Sequence, residues 1–390
     1  MPLINRFAEL HADITAWRQD IHTHPELMFD THRTSALVAE KLRAFGCDSV
    51  TEGIGQTGVV GVIKGKQNTS GKVIGLRADM DALPILEATN LSYASSTPGK
   101  MHACGHDGHT AMLLGAAQYL AETRNFDGTA VVIFQPAEEG GGGGLEMVKD
   151  GLIEDYNIQE IYGMHNWPGV PVGQFAIRKG PFFAATDTFK IEVSGKGGHA
   201  AKPNTTIDTT LIASHIVVAL QSVVSRTIDP LDAVVVSVTS FETESNAYNV
   251  IPERVELRAT LRTLKRETGD LAKSQIKQIV NHTAAAYGAT AKVTYFPGYP
   301  VMVNADTQTE FAVNVAKSVA GDHNVSDNAP PTMGGEDFSF MLEACAGSYI
   351  LVGNGDTADV HHPEYNFNDE AIPVGCSYWA GLIEMGMPAT

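Results

Sequence analysis

The sequence predicts an α/β fold in two domains: a mixed sheet flanked by helices, with a smaller α+β domain inserted into it. Three observations lead there. Short β-branched runs alternate with helical rhythms in the first part of the chain. Near residue 185 the pattern shifts to a β-α-β-β-α-β order, the ferredoxin-like split pattern. From Tyr299 onward helices and short strands resume, with histidines and acidic residues in their loops. The boundaries expected are 1–184 and 298–390 for the two parts of the larger domain and 185–297 for the insert. At 390 residues the chain exceeds one compact core, which also favours two domains.

Taken in order, Leu3, Phe7, Leu10 and Ile14, then Leu37, Leu42 and Phe45, fall at helical spacing, with an interruption around Pro25. Two helices open the chain, and His22-Thr23-His24-Pro25-Glu26 reads as a structural turn between them. Residues 57–63, 72–76 and 129–134 read as strands, with a helix over 109–122 between the last two. In the insert, strands are expected at 187–193, 233–240, 254–262 and 291–296, and helices at 208–224 and 268–286.

Composition narrows the function. Apolar residues make up 43% and charged residues 18%, which excludes a disordered chain. A formal charge of −18 argues against a nucleic-acid partner, because a phosphate backbone demands a concentrated positive patch. There is no run of 18 apolar residues, and MPLINRFAELH lacks the basic and apolar regions of a signal peptide, so a cytoplasmic protein without a membrane partner is expected. Cys47, Cys104, Cys345 and Cys376 are too scattered for a disulfide framework and read as free thiols, one of them a ligand.

The densest chemistry is MHACGHDGH at 101–109, leading into a helix. Three histidines, a cysteine and an aspartate so close together make a metal-ligand density that packing alone rarely needs, and Cys104 and His106, two apart, can face one ion. In FQPAEE at 134–139 a strand runs out into a carboxylate pair followed by glycines. Adjacent side chains of extended backbone point opposite ways, so one carboxylate can bind metal while the other faces a substrate. A Glu-Glu pair taken alone is more often a solvated loop; the glycines, which let backbone approach a ligand, tilt the reading. His165 ends a strand, and His361-His362-Pro363 lies near the C-terminus. Functional side chains of open α/β sheets gather where strands end.

Together these stretches resemble the aminoacylase, hippurate hydrolase and auxin-conjugate hydrolase group of dinuclear metal amidohydrolases. The carriers are RADMDALP at 77–84, MHACGHDGHTAML at 101–113, FQPAEEG at 134–140, MHNWPG at 164–169, GKGGHAAKPN at 195–204, NVIP at 249–252, MGGEDF at 333–338 and HHPEYNFND at 361–369. The resemblance implies a metallopeptidase-type catalytic domain and an inserted dimerisation or lid domain. It implies hydrolysis of the amide bond of small N-acyl amino acids by two divalent ions, zinc or manganese first, cobalt or nickel as alternatives. Cys104, His106, Glu139, His165 and His361 are the implied ligands, with His362 the alternative to His361. Glu138 is the implied general base. Asp79 is the implied acidic support of the site, with Asp81 as its alternative. His199 is the implied oxyanion donor, acting across a homodimer.

For a substrate carboxylate, Arg258 and Arg262 share a strand face, and Asn249 is a further polar contact; Asn249 and Arg262 are the residues chosen. His102, Asp107 and His109 are expected to orient neighbours. A dipeptidase or carboxypeptidase with the same metal centre, and a metal-dependent binding protein without turnover, are the competing readings.

Overall fold

The computed structural model describes residues 4–389, so the Leu3 position of the opening rhythm lies outside the described residues. The chain forms two compact units. One runs to Gly180 and resumes over Val303–Pro330 and from Asp337 onward; the other comprises Pro181–Met302 and Pro331–Glu336.

The first unit is built on an eight-stranded mixed sheet. Its strand order is Ser49–Ile54, Gly58–Lys64, Thr129–Gln135, Val73–Asp79, Glu160–Pro168, Gly347–Gly355, Phe175–Ala176 and Val325–Ser326. The four strands from Thr129–Gln135 to Gly347–Gly355 are mutually parallel. They are buried almost throughout, as expected of near-continuous apolar runs in a parallel sheet. Ser49–Ile54 was not read from the sequence: it is mostly exposed and lacks an apolar alternation.

Helix Asn5–Thr23 buries Phe7, Leu10, Ile14 and Ile21, one stripe at helical spacing, and His32–Phe45 stops at Gly46 in the left-handed region (φ 83°). The expected turn at 22–26 is corrected at its start. His22 and Thr23 remain helical, and His22 is fully buried. Helix His106–Thr123 is buried on nearly every side and starts three residues earlier than expected, because Gly105 (φ 90°) turns the chain and its carbonyl accepts the amides of Gly108 and His109.

The second unit holds a four-stranded antiparallel sheet in the order Val234–Thr243, Arg254–Thr263, Ala185–Ser194, Thr290–Pro297. With helices Thr209–Ser222 and Arg266–Ala286 this is the split β-α-β order. Phe189, Ile191 and Val193 alternate with exposed or half-buried residues and pack with Val255, Leu257, Ala259 and Leu261, so one face of the sheet is core. The carboxylate of Asp208 caps the first helix by accepting the amides of Thr210 and Leu211. That helix runs on through a π-turn; Thr209–Thr227 is one helix, among the described residues, long and apolar enough by composition to cross a membrane. Pro331–Glu336 joins this unit through backbone pairing, Thr332 N–H to Phe182 O and Ala184 N–H to Gly334 O, both 2.9 Å. This segment falls inside the stretch 298–390 that the sequence assigns to the larger domain.

Candidate metal centre

The parallel strands of the first unit deliver chemistry at their C-terminal ends. Asp79 is the last residue of Val73–Asp79. Beyond Gln135, Ala137 takes a left-handed conformation (φ 55°), and Asp81 accepts the backbone amides of Glu138 (2.9 Å) and Glu139 (3.1 Å). This clamp holds the turn that carries both glutamates. His165 does not end its strand as the sequence suggested but sits three residues before the end of Glu160–Pro168, which pairs with Gly347–Gly355 as far as Pro168, while Cys104 and His106 flank Gly105 at the start of the buried helix. The loop after Gly347–Gly355 brings in His361, itself left-handed (φ 66°), whose N–H donates to Ala103 O at 2.7 Å.

These segments converge. Cys104 Sγ lies 3.3 Å from His165 Nε2, and His361 Nε2 lies 3.3 Å from Glu139 Oε1. His106 Nε2 sits 3.7 Å from Asp79 Oδ2 and 4.0 Å from Glu139 Oε1. Donor atoms of Cys104, His106 and His165 all lie within 4.8 Å of one another, and so do those of Cys104, Glu139 and His361, and of His106, Glu138 and Glu139. The structure therefore brings all five expected ligands and Glu138 into one cluster. Of the adjacent histidines it is His361 that meets Glu139; His362 Nδ1 accepts the Glu364 amide instead.

The donor set suits cations. Both ring nitrogens of His106 and Glu139 Oε1 are buried without a well-formed hydrogen bond, Asp81 and His361 approaching only to 3.4 and 3.3 Å, a state that a bound ion would relieve. Charge points the same way. Burial opposes an imidazolium at His106, yet Asp79, Asp81 and Glu139 outweigh it and push its pKa up to about 10. Burial and then the carboxylates of Glu139, Glu138 and Asp79 push the Cys104 thiol far up, so a thiolate there needs added positive charge. Thiolate, imidazole and carboxylate donors together match zinc and neighbouring transition metals.

Behind the donors lies a hydrogen-bonded support. Asp79 Oδ1 receives His109 Nδ1–H at 2.6 Å, while His109 Nε2 accepts the Asn166 amide at 2.9 Å, which settles the tautomer. Buried Arg77 donates to Asp79 (2.7 Å), Gln135 (2.8 Å) and Asp337 (2.9 Å). Asp79 and Asp81 thus have separate tasks: the first orients His109, and the second clamps the glutamate turn and approaches His106 Nδ1 at 3.4 Å. The sequence reading gave no role to Arg77, Asn166, Tyr365 or Asp337, although all lie inside quoted motifs.

The remaining candidates lie in the second unit. His199 lies on a two-stranded ribbon in which it pairs with Val250, Asn249 is in the turn just before that strand with its carbonyl accepting the Ala200 amide at 3.0 Å, and both residues are exposed. Arg262 is half-buried and hydrogen-bonds Thr260 Oγ1 and the Leu261 carbonyl, while Arg258 is tied to Glu256 and Glu242.

The family model described as Peptidase family M20/M25/M40 matches residues 75–385. The chain belongs to this family. It is 42% identical over 382 residues to a hippurate hydrolase of Campylobacter jejuni, covering 98% of each chain. It is 38% identical to an N-acetylcysteine deacetylase of Bacillus subtilis, covering 95% of this chain and 96% of the relative. The structure of a dinuclear metal-binding peptidase of the M20 family from Bacillus subtilis superposes with a TM-score of 0.85 at 33% identity, covering 98% of this chain and all of that one. The resemblance read from the motifs therefore holds, and the α/β fold is that of the M20 metallopeptidases.

Proposed function

We propose that this M20 protein is a metal-dependent amidohydrolase that cleaves the amide bond of N-acyl amino acids to a carboxylic acid and an amino acid. The observation that carries this is the placement of Glu138 beside a cluster of thiolate, imidazole and carboxylate donors. Relatives named as a hippurate hydrolase and an N-acetylcysteine deacetylase support the substrate class. Cys104, His106, Glu139, His165 and His361 would hold two divalent ions, zinc or manganese. Bound there, such ions supply Lewis acidity toward the amide carbonyl and lower the pKa of water. Glu138, nearly buried and with its amide fixed by Asp81, takes the proton of the attacking water at a carboxylate oxygen and passes it to the leaving amine nitrogen. Asp79 keeps His109 in one orientation behind the ligands.

The oxyanion donor in this reading is His199 of the partner subunit in a homodimer. Ala201 N–H donates to His199 Nδ1 at 3.1 Å, which places the ring proton on the exposed Nε2, ready to donate. Dimerisation through the second unit is supported by the edge strand Val234–Thr243 with exposed Phe241, and by exposed Leu211 and Val218 on the neighbouring helix. Asn249, in the turn beside that ribbon, and Arg262 are the proposed substrate contacts. The insert acts as the dimerisation unit, and the protein works in the cytoplasm. The test is hydrolysis of N-acetyl and N-benzoyl amino acids against unblocked dipeptides, with metal-stripped protein reloaded with zinc, manganese, cobalt or nickel. Preferred turnover of the blocked substrates is expected; preferred cleavage of free dipeptides overturns the substrate class.

A further inference from the structure

One residue of MHNWPG, Asn166, touches every segment that carries a donor into the centre except the glutamate turn. It is fully buried, and its four polar groups are all engaged. Its N–H donates to His109 Nε2 (2.9 Å), and its carbonyl accepts from His165 Nδ1–H. The second bond leaves His165 Nε2 as a lone pair aimed at Cys104 Sγ. In the side chain, Nδ2 donates to Cys104 O at 2.6 Å and lies 3.0 Å from His109 Nε2, and Oδ1 accepts from Tyr365 Oη at 2.7 Å. The amide orientation follows from chemistry, since a carbonyl can only accept and Nδ2 must therefore face Cys104. Tyr365 lies four residues after His361, on the loop whose own amide is anchored at Ala103. Space is as constrained as bonding: a Cβ added at Gly105 would lie 2.2 Å from Asn166 Nδ2 and 2.4 Å from Tyr365 Oη.

We propose that Asn166 is a positioning residue for the metal centre, its side-chain amide setting the separation of Cys104 from His165 and of both from the His361 loop. The role rests on the metal-centre reading above. It differs from general core packing because the bonds converge on the carbonyl of one donor residue, the ring nitrogen of another and the loop of a third. Asn166→Asp keeps the shape and the acceptor for Tyr365, loses the donor to Cys104 O, and sets a carboxylate oxygen against that carbonyl and against the His109 Nε2 lone pair 3.0 Å away. The backbone bonds to His109 and His165 survive. Tyr365→Phe removes only the Oη–H bond and serves as the milder variant.

The experiment titrates the metal-stripped full chain with cobalt(II) against a competing chelator. It follows both the dissociation constant and the thiolate-to-cobalt charge-transfer absorption that reports on Cys104, with Cys104→Ser as the control that abolishes this band. Asn166→Asp is expected to weaken cobalt binding by about 10- to 100-fold and to shift or diminish the band. Tyr365→Phe should act in the same direction by less; the circular dichroism of both metal-free variants and the unfolding midpoint of Tyr365→Phe should stay near wild type, while the midpoint of Asn166→Asp falls because it buries an unpaired carboxylate. Unchanged affinity and band in Asn166→Asp overturn the proposal. So does weakened binding in Asn166→Asp that merely follows loss of folded protein while Tyr365→Phe binds like wild type. Wild-type protein that binds no cobalt, or binds it without the band, overturns the metal-centre reading itself and this role with it.

Discussion

The two units treat their candidate functional residues in opposite ways. In the first, Cys104, His106, His165 and Glu138 are buried, and the Cys104 carbonyl, the His165 ring and the Glu138 amide are fixed by hydrogen bonds to Asn166 and Asp81. In the second, His199 stands exposed on a short ribbon of two-residue strands and Asn249 stands exposed in the turn beside it. A centre that gathers several carboxylates and a thiol has to be pre-organised by protein, because any loosened charge there is left without solvent. A residue that meets its substrate or partner only on assembly has to stay accessible. Under the proposed function, damage in the first unit is expected to act on chemistry and metal retention, and damage in the second on assembly and transition-state contact.

The sharpest way to break that contrast is Glu138→Gln. The side chain keeps its size but can no longer take a proton. A fall in kcat of about 10²- to 10⁴-fold is expected, with metal content by elemental analysis unchanged. A variant with near wild-type turnover would remove Glu138 from proton transfer.

His199→Ala comes next. Loss of an oxyanion donor lowers kcat by about 10²- to 10³-fold, and metal content should again stay at the wild-type level. Mixing the Glu138→Gln and His199→Ala proteins under conditions of subunit exchange should restore activity, since a mixed dimer assembles one site with both residues intact. Failure to recover activity, with exchange verified by differently tagged subunits, would place the donor elsewhere.

What could be read ahead of the structure followed the physics of range. Cys104 and His106 were legible because their spacing is local and leads straight into a helix. The second unit was legible because its sheet has one buried face, which writes a period of two into its central strands Ala185–Ser194 and Arg254–Thr263. The Asn166–Cys104 bond spans 62 positions, and no periodicity encodes which strand end meets which loop. Asp81 was noticed only as an alternative to Asp79, because its task is to bind backbone amides, and backbone carries no sequence signal. His22 was misjudged because Pro25 announces a turn, while the helix extends to Thr23 and carries His22 into the core.

That histidine supplies the smallest expected effect, and it separates the centre from the buried layer beneath it. His22 Nδ1 meets Asp107 Oδ2 at 2.8 Å and Nε2 meets Glu87 Oε1 at 3.2 Å, so both nitrogens must carry protons to satisfy two carboxylates. Arg18 faces the same aspartate at 3.5 Å and is bound to Asp369 through two nitrogens, while burial pushes the neighbouring His102 down to about 3 and keeps it neutral. Burial alone would lower the pKa of His22, but the hydrogen bonds to Asp107 and Glu87 raise it to about 9. A folded-state pKa above the unfolded value of about 6.5 stabilises the protein fully below that pH, and the contribution is lost as the pH rises through about 9. The full shift corresponds to roughly 3 kcal/mol. In urea denaturation of metal-free protein, wild type should lose about that much relative to His22→Gln between pH 6.5 and about 10, because the variant has no ring to deprotonate. Parallel stability curves across this window would mean that His22 is already neutral in the folded state, and that Asp107 is satisfied by Arg18 alone.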